Sequence, residues 1–270
     1  MMNTSIIIST KNEERHLGAC LESIDSQDYP KESLEVIVVD NNSSDATKEI
    51  AKNFRAKVFN FGPERSAQRN FGVRQAQGKY VLYLDADMRL SPSVISECVK
   101  KIEEDNCVAL YIPERILGKG FWVKVRDFER SFYDATCIDA VRFIRRDVFL
   151  KAGGFDENFN EGEDWDLNRR IAALGKIGII GARLYHDESE FCLKSYLAKK
   201  SRYARNLDRY IAKWGKEDPL IKKQVGFFYR FFGVFMEEGR FWRLLRHPFL
   251  TLGMYFLRGT VGILYLGAKK

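Results

Sequence analysis

Residues 80–87 read Tyr-Val-Leu-Tyr-Leu-Asp-Ala-Asp, a greasy run that ends in two carboxylates one residue apart. A run of β-formers reads as a buried strand, and its acidic end presents oxygen ligands at the tip of a sheet. Open α/β sheets bind ligands at such tips. Mg²⁺ and Mn²⁺ are hard cations that take one or two carboxylates plus the oxygens of a diphosphate. Asp85-Ala86-Asp87 therefore suggests a metal gripping a nucleotide diphosphate, although solvated Asp-x-Asp turns are common. A second acidic group, Glu163-Asp164-Trp165-Asp166, crowds carboxylates together, which raises the pKa of one of them and suits a general base. The plainer reading is negative charge at a helix start. Asp164 reads as functional, Asp166 as a cap or brace, and Trp165 as a sugar platform or a core residue. His186 follows a strand-like run and could ligate a metal, whereas His16 and His247 carry no constellation.

Other polar residues stand at expected strand ends. Thr10-Lys11-Asn12-Glu13-Glu14 follows the first strand, and Asp40, Asn42 and Asp45 follow the second. An Asp at a strand tip can accept hydrogen bonds from a ribose hydroxyl or a base N–H. Asn42 and Asp45 serve equally well as loop and cap residues. Arg65 and Arg69 open a helix: Arg69 suits a phosphate or a nearby carboxylate, and Arg65 is expected in solvent. There is neither a G-x-G-x-x-G after the first strand nor a G-x-x-x-x-G-K-[ST], so a dinucleotide fingerprint and a P-loop are both unsupported.

The elements that must position these residues follow from hydrophobic period. Strands are predicted at 5–9, 35–39, 57–59, 80–84, 107–112, 140–144 and 177–180, with helices at 13–26, 45–54, 66–77 and 92–105 between the early ones. Strand-helix alternation argues for a parallel, doubly wound sheet with helices on its faces. No internal repeat or low-complexity segment interrupts it.

Taken in order, the motifs resemble one family. Asn12-Glu13-Glu14, the run from Val38 to Asp45, Arg69-Asn70, Asp85-Ala86-Asp87, Gly153-Gly154-Phe155-Asp156-Glu157, Glu163-Asp164-Trp165-Asp166-Leu167 and His186 together look like the family 2 inverting nucleotide-sugar glycosyltransferases of the GT-A fold. The resemblance covers about residues 1–187. It implies a Rossmann-like, mostly parallel sheet flanked by helices. It implies nucleotide-sugar contacts from Thr10, Glu13, Asp40, Asn42 and Arg69, with Asp85 and Ala86 near the ribose or donor sugar. Asp87 and His186 would hold Mn²⁺ or Mg²⁺, Asp164 would be the base, and Glu163 and Trp165 would meet the acceptor. The Q-x-x-R-W signature of processive synthases is missing, which favours transfer of a single sugar.

The second part of the chain differs in character. Of 270 residues, 44 are Lys or Arg and 37 are Asp or Glu, a net +7. Residues 191–270 hold 17 of those cations against 5 acids, which is +12 and leaves −5 for the rest. The division expected is a transferase domain at 1–190 and a basic, aromatic, helical region at 191–270. Basic residues interleaved with Phe, Trp and Tyr suit a helix in a bilayer interface. Phe227, Phe228, Phe231, Phe232 and Phe235 recur at helical spacing. Residues 248–267 are long enough to span, but Arg258 near the centre favours monotopic attachment over a span. Five cysteines without a C-x-x-C pair argue for a reducing compartment, and no signal-like segment precedes the first strand. The expected location is the cytoplasmic face of the cell membrane, peripheral or monotopic. The expected partners are a UDP- or GDP-linked sugar and a lipid-linked or cell-surface glycan, with no nucleic acid.

Three other functions share some of these features. A polyprenyl-phosphate glycosyltransferase, similar to a dolichol-phosphate mannosyltransferase, would not need Asp164 as a base, because its acceptor oxygen is already anionic. A nucleotidyltransferase would share the sheet and the metal carboxylates but lacks its glycine-rich, basic N-terminal signature here. A catalytically silent membrane adaptor would keep the fold without needing the acidic and His positions.

Overall fold

The computed structural model describes residues 3–159 and 161–268, with the side chains of 201–206 and 265–268 outside that description. The chain divides into two compact units, one of residues 1–113 with 140–187 and the other of residues 114–139 with 188–270. The segment 114–139, counted within the transferase domain on sequence grounds, thus belongs to the same unit as the basic tail.

The first unit begins with β1 (Thr4–Thr10), α1 (Leu17–Asp25), β2 (Leu34–Asp40), α2 (Thr47–Asn53), β3 (Lys57–Asn60), α3 (Arg65–Gln75), β4 (Tyr80–Asp85), β5 (Met88–Leu90), α4 (Val94–Glu104) and β6 (Ala109–Tyr111). The chain then runs through β7 (Glu114–Leu117) and α5 (Phe121–Arg130) of the second unit. It returns with β8 (Val141–Arg145), α6 (Arg146–Lys151), α7 (Glu163–Ala172), β9 (Ile177–Ile179) and β10 (Leu184–Asp187). Seven strands form one sheet in the order β3-β2-β1-β4-β8-β6-β9. The first four are mutually parallel, β8 runs antiparallel to both neighbours, and β6 and β9 are parallel. The expected α/β architecture, a mainly parallel sheet flanked by helices, is what forms.

β1 lies between β2 and β4, so the strand order reverses there, and the C-terminal ends of these three strands line the edge where such sheets take ligands. The alternating side chains of β1 explain why it is central. Ile6 and Ile8 pack toward α1 and α4, and Ile7 packs with Val73 of α3 and Leu167 and Ile171 of α7. A strand covered on both faces must be apolar throughout. Each fully buried Ile contributes about 1.5–3 kcal/mol. Gly72 lets α3 lie directly on this strand, because a Cβ there would collide with Ile7.

Helix starts differ from their expected positions for local reasons. The helix expected from residue 13 begins at Leu17. Asn12 adopts φ 55°, and the backbone N–H groups of Asn12 and Glu13 donate to Ser43 and Thr47 instead of entering a helix. α4 begins at Val94 rather than at Pro92, whose carbonyl accepts from the Asp28 N–H.

The second unit is mainly helical. It continues with α8 (Leu193–Asn206), α9 (Asp208–Trp214), α10 (Pro219–Val225), α11 (Val234–Met236), α12 (Trp242–Arg246) and α13 (Pro248–Ala268). The phenylalanine-rich stretch is not a regular α-helix. Its backbone is helical from 227 to 236, with a π-helical turn at Tyr229–Gly233 that runs directly into α11. Phe235 is buried while Phe227, Phe228 and Phe232 are exposed, so these rings, which recur at helical spacing in the sequence, do not share one buried face. Among the described residues no helix is long and apolar enough to cross a membrane. Arg258 points inward, where its guanidinium meets Glu129 at 2.9 Å and the Tyr133 hydroxyl.

Candidate active site

The acidic motif of β4 is brought to its partner by strand pairing. After Asp85 the chain turns at Ala86-Asp87 into β5, which belongs to a different sheet and pairs antiparallel with β10 in the register His186↔Met88. The Asp187 N–H donates to the Asp87 carbonyl at 2.8 Å. His186 Nε2 thereby comes within 3.0 Å of Asp87 Oδ2. Asp87 Oδ1 is buried with no hydrogen-bond partner. An orphaned carboxylate oxygen beside an imidazole is costly in a closed protein and is the donor set expected of a cation site. Two protein ligands are few, and among the described residues no group of three or more His, Cys, Asp or Glu could hold a metal. The pair therefore fits a cation whose remaining ligands come from a bound diphosphate, not a free-standing metal.

Arg69 organises the other half of the site. Gly72 sets α3 against the sheet, and Arg69 is 1% exposed, stacked over the rings of Tyr83 and Phe155. Its Nη2 donates to Asp85 at 2.7 Å and its Nη1 to Asp164 at 3.3 Å. Burial alone would raise the Asp85 carboxyl, but Arg69, Arg65, Arg142 and His186 hold it well below the usual carboxylate range. Arg69, expected to contact the nucleotide, is thus enclosed and committed to carboxylates.

The three acids at the start of α7 separate by exposure. Asp164 is 26% exposed, whereas Glu163 is 3% and Asp166 is 0%. Glu163, expected to meet the acceptor, is ion-paired with Arg65, so Arg65 is not merely solvated either. Burial and the neighbouring Asp164 raise the Glu163 carboxyl against the pull of Arg65 and Arg69. Asp166 pairs with Arg170 one turn on and braces the helix. Asp164 is left as the open carboxylate of the group, steadied by Arg69 and within 3.5 Å of the Tyr83 hydroxyl. Trp165 beside it is half-buried.

The strand-tip polar residues mostly secure the loop after β2. Asp40 is fully buried, accepting from the Thr10 hydroxyl at 2.9 Å and from the Ser43 N–H at 2.7 Å. Neither Thr10 nor Asp40 is open to a ligand in this structure. Their bonds hold the loop that carries Asn42, which is exposed with φ 52°. Asp45 accepts from the Thr47 and Glu14 N–H groups, the local cap role. Glu13 is half-buried, and burial together with the charges of Asp87 and Asp85 raises its carboxyl. Ala86 is buried in the turn between those acids.

Three residues without an assigned role prove structural to the site. Asn70 donates to the Phe155 carbonyl at 2.9 Å and accepts from the Phe155 N–H at 2.8 Å. Gly154, at φ 68°, passes so close that a Cβ would lie 2.5 Å from Asn70 Oδ1. Phe155 is thereby clamped under Arg69. The sequence signal was the Gly153-Gly154 pair, but only its contact with Asn70 explains it.

Comparison with known proteins identifies the family and the fold. The family model described as "Glycosyl transferase family 2" matches residues 5–158. The poly(ribitol-phosphate) beta-N-acetylglucosaminyltransferase TarS of Staphylococcus aureus is 32% identical over 130 residues, 44% of this chain and 22% of that one. The GalNAc(5)-diNAcBac-PP-undecaprenol beta-1,3-glucosyltransferase of Campylobacter jejuni is 35% identical over 184 residues, 61% of this chain and 59% of that one. The chain thus matches less than two thirds of the length of these relatives. Two solved structures share the fold. TarS in complex with UDP-GlcNAc has a TM-score of 0.61 at 19% identity, covering 96% of this chain and 82% of that one. A mannosyltransferase from Pyrobaculum calidifontis in complex with GDP-Man and Mn²⁺ has a TM-score of 0.62 at 22% identity, covering 99% of this chain and 79% of that one. The strand-tip acids, the clamped glycine pair and the family match lead to one conclusion: this chain belongs to glycosyl transferase family 2.

Proposed function

We propose that this protein is a metal-dependent, inverting glycosyltransferase that moves a single sugar from a UDP- or GDP-linked donor to a lipid-linked or cell-surface glycan. The observation that carries the reading is the Asp87–His186 pair, 3.0 Å apart with Asp87 Oδ1 orphaned, two residues from the Asp85 that shares Arg69 with Asp164. Asp87 and His186 would hold Mn²⁺ or Mg²⁺. Bound there, such a cation screens the charge that builds on the departing nucleoside diphosphate. Glu13, Asn42, Asp85 and Ala86 lie at the same strand ends and form the donor side of the site. Asp164 takes the proton from the acceptor hydroxyl, which then attacks the anomeric carbon from the face opposite the leaving diphosphate. Arg69 keeps Asp164 and Asp85 in fixed relation, and Trp165 offers an aromatic edge to the acceptor. Thr10 and Asp40 support the nucleotide end through the loop they hold.

The acceptor class draws support from relatives. TarS is named for poly(ribitol-phosphate) and the Campylobacter enzyme for a diphospho-undecaprenol-linked glycan. Such an acceptor is consistent with residues 191–270 attaching the protein to the cytoplasmic face of a membrane. The test is incubation with UDP- and GDP-sugars with and without Mn²⁺, reading nucleoside diphosphate release and, by NMR, the product anomer. Release that needs the metal and yields the inverted anomer supports the reading. Pyrophosphate release from a nucleoside triphosphate and a sugar phosphate, with no donor cleaved, would replace it by nucleotidyl transfer.

A further inference from the structure

α13 is built inside out. Its one charge among the described side chains, Arg258, is 8% exposed and paired with Glu129, while Phe249, Leu252, Phe256 and Ile263 are 56–78% exposed. At about 100° per residue these four fall in a sector of about 60°, and the stripe runs about 21 Å along the axis. Met254, Leu257 and Arg258 take the opposite side and are buried. Gly259 has open space where a Cβ would stand. A surface helix of a soluble domain turns charge outward and apolar residues inward. Single exposed apolar residues are ordinary, but a continuous stripe marks an interaction surface.

The surroundings say what covers it. α12 precedes the stripe with Trp242 and Leu245 exposed, alternating with exposed Arg243 and Arg246. Arg258 apart, which is buried and paired, Arg243 and Arg246 are the described cations of residues 241–268, and that stretch holds no Asp or Glu. A second copy meeting this face would set one cationic rim against another with no acid to offset it. An acidic lipid surface complements the rim, and Trp beside Arg is the composition of a helix at the headgroup level.

We infer that the outward face of α13, extended by Trp242 and Leu245, docks in the plane of an anionic phospholipid bilayer without crossing it. Crossing would carry Arg258 into hydrocarbon and take from Glu129 one of its two cationic partners, leaving Arg126 alone. This sharpens the membrane attachment proposed above into one surface and does not depend on the sugar-transfer reading.

The experiment is flotation of the full chain with phosphatidylcholine vesicles, with and without phosphatidylglycerol, at low and high salt. Wild-type protein is expected to float with the anionic vesicles and to fall by at least about tenfold on neutral ones or in high salt. The double variant Leu252→Glu with Ile263→Glu should lose at least about tenfold in binding, with its melting temperature and donor cleavage unchanged. Phe54→Glu, an exposed apolar site of the other unit, should bind as wild type. Failure of the wild type to float overturns the proposal. Wild-type binding by the double variant also overturns it, leaving attachment through another part of 191–270 intact. Retention after an alkaline wash would mean a span. A lipid-free dimer that the double variant dissociates would mean that a second copy covers the stripe.

Discussion

Asp87 and His186, ninety-nine positions apart in the chain, meet at 3.0 Å because β5 and β10 pair antiparallel at that register. Their geometry provides two donors and asks the ligand for the rest. Mn²⁺ alone should therefore shift the melting temperature little, a nucleoside diphosphate alone modestly, and the two together by more than their sum. Asp87→Ala and His186→Ala should each abolish that excess and lower kcat/KM by about 100-fold or more, which is about 2.7 kcal/mol of transition-state stabilisation. Thermal melts in a metal-by-nucleotide grid are the measurement. Purely additive shifts in wild-type protein would contradict a shared cation.

Asp164 is the open carboxylate at the start of α7. Asp164→Asn should leave the donor-induced thermal shift in place and lower kcat by about 10²–10⁴-fold if an acceptor hydroxyl is deprotonated. A drop of only a few-fold in kcat would instead point to an acceptor that is already anionic, such as a polyprenyl phosphate.

Arg69 is buried against two aromatic rings and serves two carboxylates at once. Arg69→Met keeps the volume and removes the charge. Breaking a fully buried pair costs about 3–5 kcal/mol, and because Asp85 and Asp164 reach solvent we expect about 2–3 kcal/mol here. Denaturant titration would register this as a lower midpoint with an unchanged slope. Arg69→Lys should recover only part of it, since one ammonium does not reproduce the two-pronged contact.

Glu129 carries a pH dependence of stability. Burial pushes its carboxyl up, but Arg258 and Arg126 bring it down to about 2 from the usual 4.5. Between those values the unfolded chain binds a proton that the folded chain refuses. This contribution is therefore complete above about pH 4.5 and drains away as pH falls toward 2. Glu129→Gln should lower the melting temperature at neutral pH and flatten its decline between about pH 4.5 and 3. Parallel declines for wild type and variant would show that the charge pair contributes nothing.

What the sequence determined by itself was local. The period-2 and apolar runs of β1, β2 and β4 declared buried strands, and the residues at their ends declared where ligands would be met, since each pattern is written within a few consecutive positions. It also made plain that residues 191–270 are cationic and aromatic. Tertiary structure decided partnership. No local pattern tells whether Arg69 faces a phosphate or two carboxylates, that Arg65 turns to Glu163, or that Gly154 must stay bare to pass Asn70. Those outcomes depend on how α3, α7 and the glycine loop settle on one sheet face. The same holds for Arg258. In the sequence it interrupts an apolar segment, and in the fold it turns inward to Glu129, because a charge among apolar neighbours is tolerated only where an opposite charge awaits it.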